Sequence, residues 1–294
     1  MITRPMFTEL YAPGLNKVFF ESYTYFDSEY DKYLNVLSSD VSYVEDYKMA
    51  GFGGVPTKAE GASIIYDDLT PGSKIQYTWT AYGKGAMITH EAMVDDRYGQ
   101  MKKIAQSMGR AFRNKVESVA IGVLNSGFGT AGGFSSEYLF LATHALLRSA
   151  STVSNLGSTD ITATAIANAT IAMEKTLDDS GVPVLCRPKL VIVDPSEMVN
   201  AQVALRSAFL PGGQNNDINV VAGMGLQLMV SHYISDPDTW FLLADNHDLN
   251  FFWREKTTTD SADDFDTGNG KFKAYMRFGV GYGDWRGTWG SPGA

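Results

Sequence analysis

Several things are scarce in this 294-residue chain. It has one cysteine, Cys186. No internal disulfide can form, which points to a reducing compartment and leaves packing to hold the fold. Histidines are few: His90, His144, His232 and His247. None forms the H-E-x-x-H pattern or lies near Cys186 at a zinc-site spacing, so no metal centre is expected. Basic residues are in deficit, 24 against 33 acidic, for a net charge of −9. Such a chain repels polyphosphate, because affinity for nucleic acid comes from cations that displace counterions. No apolar run approaches the ~20 residues of a membrane span. Met1–Phe7 leads into polar Thr8-Glu9 rather than an apolar signal core. Fixed-period repeats and low-complexity blocks are missing too. The expectation is a soluble globular protein, whose 44% hydrophobic and 12% aromatic content can fill the cores of about two domains.

The order of elements is uneven. The first fifty or so residues are aromatic and irregular, and the spacing of Phe26, Tyr30, Tyr33, Leu34 and Leu37 predicts a short helix over 27–37. The run Met49–Pro56, with Gly51, Gly53 and Gly54, breaks any regular element. Ala62–Tyr66 and Ile75–Tyr82 then read as the two strands of a hairpin. Pro71 and Gly72 between them suit a type II turn at its tip. Ile75, Tyr77, Trp79 and Ala81 share one face of the second strand. From about Asp95 to Asn125 a stripe of Met101, Ile104, Ala105, Met108, Phe112, Val116, Val119, Ala120, Val123 and Leu124 predicts a long helix. Gly109 and Gly122 inside it each cost ~1 kcal/mol against alanine, so packing must hold it. A second helix is expected over 162–179, capped by Asp160 or Thr162. A strand at Leu190–Val193 leads through Asp194-Pro195 into a helix over 196–207. Strands at Gln227–Val230 and Trp240–Ala244, Asn250–Arg254, an acidic excursion over 260–270 and an alternating strand over 272–285 complete a mixed α+β chain.

Motifs that could carry chemistry have plainer readings. Gly127–Gly132 matches G-x-G-x-x-G, but a helix precedes it where a dinucleotide site needs a strand. His90-Glu91 heads a helix and reads as a capping pair. His144 could act as a base, yet no serine or cysteine elbow accompanies it. The pairs Asp67-Asp68, Asp95-Asp96, Asp178-Asp179 and Asp263-Asp264 all fall at turns or helix ends. Asp264–Gly270 resembles a calcium loop but lacks the oxygen ligand at its fifth position and the glutamate at its twelfth. Lys102, Lys103, Arg110, Arg113 and Lys115 form a solvated or subunit-facing stripe. No catalytic, cofactor-binding or metal residue is assigned.

Five stretches together carry a resemblance. They are Met87–Asp96, Leu139–His144 (a short strand ending in histidine), Phe209–Asp217, Ile234–Leu242 and Phe278–Gly287. In this order they resemble the major capsid proteins of tailed bacteriophages, the Hong Kong 97-type fold, and especially the Mu-type major head subunit. That resemblance implies an N-terminal arm over 1–56, an extended hairpin loop over 57–90 and a peripheral domain with its spine helix over 91–159. An axial domain over 160–245 and a return to the peripheral domain over 246–294 follow. It implies a non-enzymatic virion subunit without cofactors, assembling into hexamers and pentamers in the host bacterial cytoplasm. Its partners would be itself, a separate scaffolding protein and a portal, around double-stranded DNA bound without sequence specificity and with no membrane. A fused scaffolding segment is not expected. Lys74 and Asn269 lie where some relatives crosslink, but no motif supports that transfer.

The hairpin supplies the candidate inter-subunit contacts: Ile64, Tyr66, Pro71, Gly72, Ile75, Tyr77 and Trp79. A two-stranded ribbon cannot bury both faces alone. Two alternatives stay open: an encapsulin-like cargo container of the same fold, and a soluble α+β enzyme using His144 or His232.

Overall fold

The computed structural model describes residues 12–95, 99–209, 217–264 and 266–294. Outside them lie the opening of the expected arm (1–11), Asp96, Leu210–Asn216 of the third resembling stretch, and Phe265 of the calcium-like loop. In chain order the elements are α1 (Ala12–Tyr23), β1 (Asn35–Ser38), β2 (Tyr43–Ala50), β3 (Thr70–Thr78), β4 (Thr80–Ile88), α2 (His90–Val94) and α3 (Gln100–Asn125). Four two-residue strands follow: β5 (Ala131–Gly132), β6 (Glu137–Tyr138), β7 (His144–Ala145) and β8 (Thr152–Val153). Then come α4 (Ala163–Glu174), β9 (Pro188–Val193), α5 (Met198–Arg206), β10 (Gln227–Val230), β11 (Trp240–Ala244), β12 (Leu249–Asp263), β13 (Gly270–Tyr282) and β14 (Thr288–Ser291). They divide between two compact units.

The first unit gathers the chain up to Val44, Tyr77–Ala120 and Phe251–Val280. Its sheet runs β1-β12-β13-β4, with β13 antiparallel to β4 from Gly270↔Ile88 to Phe278↔Thr80. Alternation along β13 sends Phe272, Ala274, Met276 and Phe278 to one buried face. Phe19 of α1 is wholly buried, its ring 5.8 Å from Phe112 of α3 and 6.2 Å from Phe272. Met101, Ala105, Met108, Phe112, Val116 and Ala120 form the buried stripe of α3, as its spacing predicts, whereas Ile104 is exposed. Burying each large side chain here contributes about 1.5–3 kcal/mol. Gly109 has a specific reason to be there. A Cβ would run into the Phe19 carbonyl oxygen of α1 and lie 3.2 Å from Ser22 Cβ, so only glycine lets the two helices approach this closely.

The second unit gathers Glu45–Gln76, Ile121–Asn250 and Gly281–Ala294. Its sheet runs β10-β9-β11-β14, parallel between β9 and β10 and antiparallel across the other pairs. The core joins Ile166, Ala169 and Met173 of α4 and Ala201 and Leu205 of α5 to Val191, Val193, Trp240 and Leu242 of the sheet. Thr162 caps α4, its side chain accepting the Ala165 N–H. Asp194 accepts the Ser196 N–H where β9 turns through Pro195 toward α5.

Several expected elements differ. The helix over 27–37 is only a 3-10 turn at Tyr30–Lys32, with the N–H groups of Glu29 (3.2 Å) and Tyr30 (3.0 Å) accepted by the Glu117 carboxylate of α3, because residues 35–38 form β1 and pair with β12 instead. The first helix among the described residues is α1 instead. Ala62–Tyr66 is not a strand: residues 51–69 have no ladder, and β3 pairs with β2. Pro71 and Gly72 therefore lie inside β3, not at a turn tip, and Gly72 does not take a positive φ. A Cβ there would lie 3.0 Å from both Leu147 Cδ1 and the Lys48 carbonyl oxygen, so close approach explains the glycine. The strand over 75–82 breaks at Trp79, whose neighbours belong to β3 and β4. The helix over 162–179 stops at Glu174. Leu139–Ala142 is irregular, and β12 carries ladder structure to Asp263 into the expected excursion.

Candidate functional site

The seven candidate contacts separate into two environments. Tyr77 is 5% exposed and Trp79 9%, both packed on Phe252 with ring centroids 4.9 and 5.3 Å apart. The Trp79 indole N–H donates to the Val41 carbonyl at 2.8 Å. These two are core residues of their own unit. Ile64 is 66% exposed and Tyr66 94%. Pro71, Gly72 and Ile75 sit in β3, with Pro71 exposed and the other two half-buried. Sequence reasoning missed Phe52, Val55 and Ile65, which are also exposed in the 51–69 segment. The signal was present as apolar residues among glycines in a stretch with no strand or helix period.

Under this segment lies a buried ionic cluster in the second unit. Asp179 Oδ1 lies 3.1 Å from Lys48 Nζ of β2 and 3.2 Å from Arg286 Nη2, with all three side chains 10% exposed or less. Arg286 also donates through Nε to the Leu177 carbonyl and through Nη1 to Asp284 Oδ2. The nearby aspartates keep its guanidinium charged despite burial, which opposes the charge. A buried charge of this kind is tolerable only because each partner is satisfied. The cluster fixes β2 and hence the root of the 51–69 segment.

The histidines have structural surroundings. His144 is wholly buried, with Nδ1 3.0 Å from Glu137 Oε2, Nε2 3.0 Å from Asn155 Oδ1, and its ring stacked 4.0 Å from Trp285. Burial holds its pKa below the ordinary imidazole value, against the pull of Glu137 and Asn155. Burial likewise lowers His247, whose Nδ1 accepts the Leu249 N–H. The His90 backbone N–H donates to Asn269 Oδ1, and His232 is exposed. Lys74 pairs with Glu45 at 3.1 Å.

The glycine-rich run after α3 is shaped around rings rather than phosphate. A Cβ on Gly127 would lie 2.9 Å from the Phe140 ring, and one on Gly132 would lie 3.0 Å from the Tyr282 hydroxyl. Asp264 Oδ2 meets Lys271 Nζ at 2.9 Å in the β12–β13 connection. Among the described residues no three His, Cys, Asp or Glu side chains are grouped to hold a metal ion, and no helix is long and apolar enough to cross a membrane.

A family model described as phage capsid protein matches residues 72–290. No curated protein matches the chain. Solved structures resemble it in fold at low identity. The capsid of cyanophage P-SCSP1u aligns with TM-score 0.60 and 9% identity over 89% of this chain and 86% of that one. The procapsid of bacteriophage JBD30 aligns with TM-score 0.53 and 16% identity over 99% and 76%. A virus-like particle from Pyrococcus furiosus aligns with TM-score 0.56 and 11% identity over 96% and 99%.

Proposed function

The chain belongs to the phage capsid protein family, and from that premise we propose how it serves as the head subunit of a tailed phage. It is a shell-forming protein of the virion, in the fold shared by tailed-phage capsids. The match over residues 72–290 carries this reading, since it takes in β3 through β14 and so most of both units.

Subunits assemble as hexamers and pentamers in the host cytoplasm, with a separate scaffolding protein and a portal, and enclose double-stranded DNA without reading its sequence. The net charge of −9 supports a container that does not grip its contents. The subunit performs no catalysis and carries no cofactor; His144 serves packing. By position along the chain, the arm is 1–56, the extended loop 57–90, the peripheral part 91–159 with 246–294, and the axial domain 160–245. Inter-subunit contact falls on the exposed members of the candidate set. Ile64, Tyr66 and Pro71 offer area to a neighbour, the half-buried Gly72 and Ile75 of β3 offer less, and Tyr77 and Trp79 are covered within their own unit.

One observation favours a second reading, a cargo container of the same fold: the near-complete overlap with the virus-like particle from Pyrococcus furiosus. Negative-stain microscopy of the purified protein tests the shell itself. Closed particles or capsomers are expected, and a persistent monomer would overturn both readings. Co-expression with the neighbouring genes separates them, since a head subunit needs scaffold and portal to build DNA-competent particles and a container closes around a protein cargo.

A further inference from the structure

The segment 52–66 has almost no internal structure: beyond one turn in which Ala62 N–H donates to the Ala59 carbonyl, it forms no ladder. Exposed apolar residues in it, Phe52, Val55, Ile64, Ile65 and Tyr66, have no layer above them within their own unit. A stretch of this kind should sample many conformations, since ordering each residue costs about 1–2 kcal/mol of entropy. Yet its two ends converge on one side chain. Arg148 Nη2 donates to Asp67 Oδ1 at 2.7 Å and Nη1 to Asp67 Oδ2 at 3.2 Å, a two-pronged pairing. The same Nη1 reaches the Gly51 carbonyl at 3.2 Å and the Asp68 carbonyl at 3.4 Å. One guanidinium thus touches the residue before the segment and both residues after it.

Two further contacts tighten this closure. The Asp67 carboxylate accepts the Gly53 N–H, crossing from one end to the other. Ser180 Oγ donates to the Gly51 carbonyl at 2.7 Å. Arg148 is itself held, because its own N–H donates to the Asp179 carbonyl at 2.8 Å, and Asp179 anchors the Lys48–Arg286 cluster. Arg148 beside Asp67 keeps that carboxyl below the usual aspartate range.

We propose that Arg148 is a positioning residue for assembly: it clasps Gly51 to Asp67-Asp68, closes 52–66 into a loop, and so fixes where Ile64, Ile65 and Tyr66 are offered to a second copy of this chain. The assembly role rests on the reading that this segment contacts a neighbouring subunit; the clasp does not. Closing the loop within the subunit removes entropy that docking would otherwise have to remove, so its benefit is to the rate and affinity of association. Lysine cannot replace arginine here. A point-like ammonium cannot span a carboxylate and two carbonyls that a planar fork reaches together.

The test uses the full chain with spin labels on Gly54→Cys and Ser63→Cys, both exposed; Cys186 is buried and stays unlabelled. Unassembled subunits should give a narrow distance distribution between the labels. Arg148→Ala and Asp67→Asn should broaden it without changing the unfolding temperature appreciably, and assembly of the unlabelled variants should slow about tenfold. Arg148→Lys keeps the charge but cannot reach the Asp67 carboxylate and both carbonyls together, so it should broaden the distribution and slow assembly nearly as far, a loss that charge alone would not show. The pair is partly solvent-exposed, so about 1 M salt should broaden the parent distribution as well. An unchanged distribution in Arg148→Ala overturns the clasp whatever assembly does. A broadened distribution with undiminished assembly overturns the positioning role. Failure of the shell reading would show separately, as a parent protein that forms no particles.

Discussion

Two connections in this chain, both bordered by β-strands, handle exposure in opposite ways. The β12–β13 connection ends in charge: Asp260 pairs with Lys273 at 3.1 Å and Asp264 with Lys271 at 2.9 Å, while Thr257, Thr258 and Thr259 line the approach. Between β2 and β3 the exposed residues include the large apolar Phe52, Val55, Ile64, Ile65, Tyr66 and Leu69 beside Lys58, Glu60, Asp67 and Asp68. Charged and polar strand ends resist pairing with other chains, whereas an uncovered apolar stretch invites it. The first therefore reads as surface kept in water, and the second is the surface proposed above to meet another subunit. The lesson is that chemistry at the connection, not the presence of strands, distinguishes a solvent-facing hairpin from a contact.

The sharpest way to break this contrast is to compare a core residue with an exposed one. Phe112→Ala, at 4% exposure on α3, should lose about 3–5 kcal/mol of stability, read by denaturant unfolding. A parent-like midpoint would remove the packed core from the first unit. Gly109→Ala should cost about 1–3 kcal/mol, because α1 and α3 must move apart to admit the methyl group. An increase in melting temperature, as helix propensity alone would give, would show that the helices do not meet there.

On the other side of the comparison, Ile65→Ser with Tyr66→Ser should shift unfolding by no more than about 0.5 kcal/mol while particle yield falls steeply. A large stability loss would return the segment to its own subunit's core. Amide exchange sharpens the same point. Residues 77–82 should be equally protected in subunits and particles, and residues 52–66 should gain protection only in particles. Equal protection of both stretches in both states would end the distinction.

The smallest expected effect is a pH slope inside the core. Burial raises the Glu117 carboxyl above its ordinary value of 4.5, although the Glu29 and Tyr30 N–H groups and Arg113 pull the other way. The folded state then holds the proton more tightly than the unfolded state. This contribution is fully present below the ordinary value and is lost as pH rises through the raised folded one. Glu117→Gln should flatten that slope in thermal melts taken from about pH 4 to 7. A parent-like slope in the variant would assign it elsewhere.

Much of the second unit was legible in advance. Thr162, Asp194-Pro195, the apolar runs at 190–193 and 240–244 and the period of α4 all act locally, through caps, fixed φ and side-chain alternation. The hairpin was legible in kind and misplaced in detail. Ile64, Ile65 and Tyr66 have the composition of a strand, but a strand needs a partner ladder, and β3 finds one in β2 instead. The candidate contacts divided for the same reason: alternation puts Ile75, Tyr77 and Trp79 on one face, while only the position of Phe252 decides that the last two are covered.

By itself the sequence determined the α+β class, the long amphipathic helix, the local caps and the order of stretches that resembles capsid proteins, because each depends on residues near one another in the chain. Tertiary structure alone decided that Glu117 turns the chain at Tyr30, that Gly109 admits α1, and that the glycines after α3 make room for Phe140 and Tyr282. It likewise decided that Arg148 gathers Gly51 and Asp67. Apart from Gly127 with Phe140, these are encounters between residues some 80 to 150 positions apart, across distances no local spacing encodes. What fixes them is which surfaces exclude water together, and that is settled only when the whole unit closes.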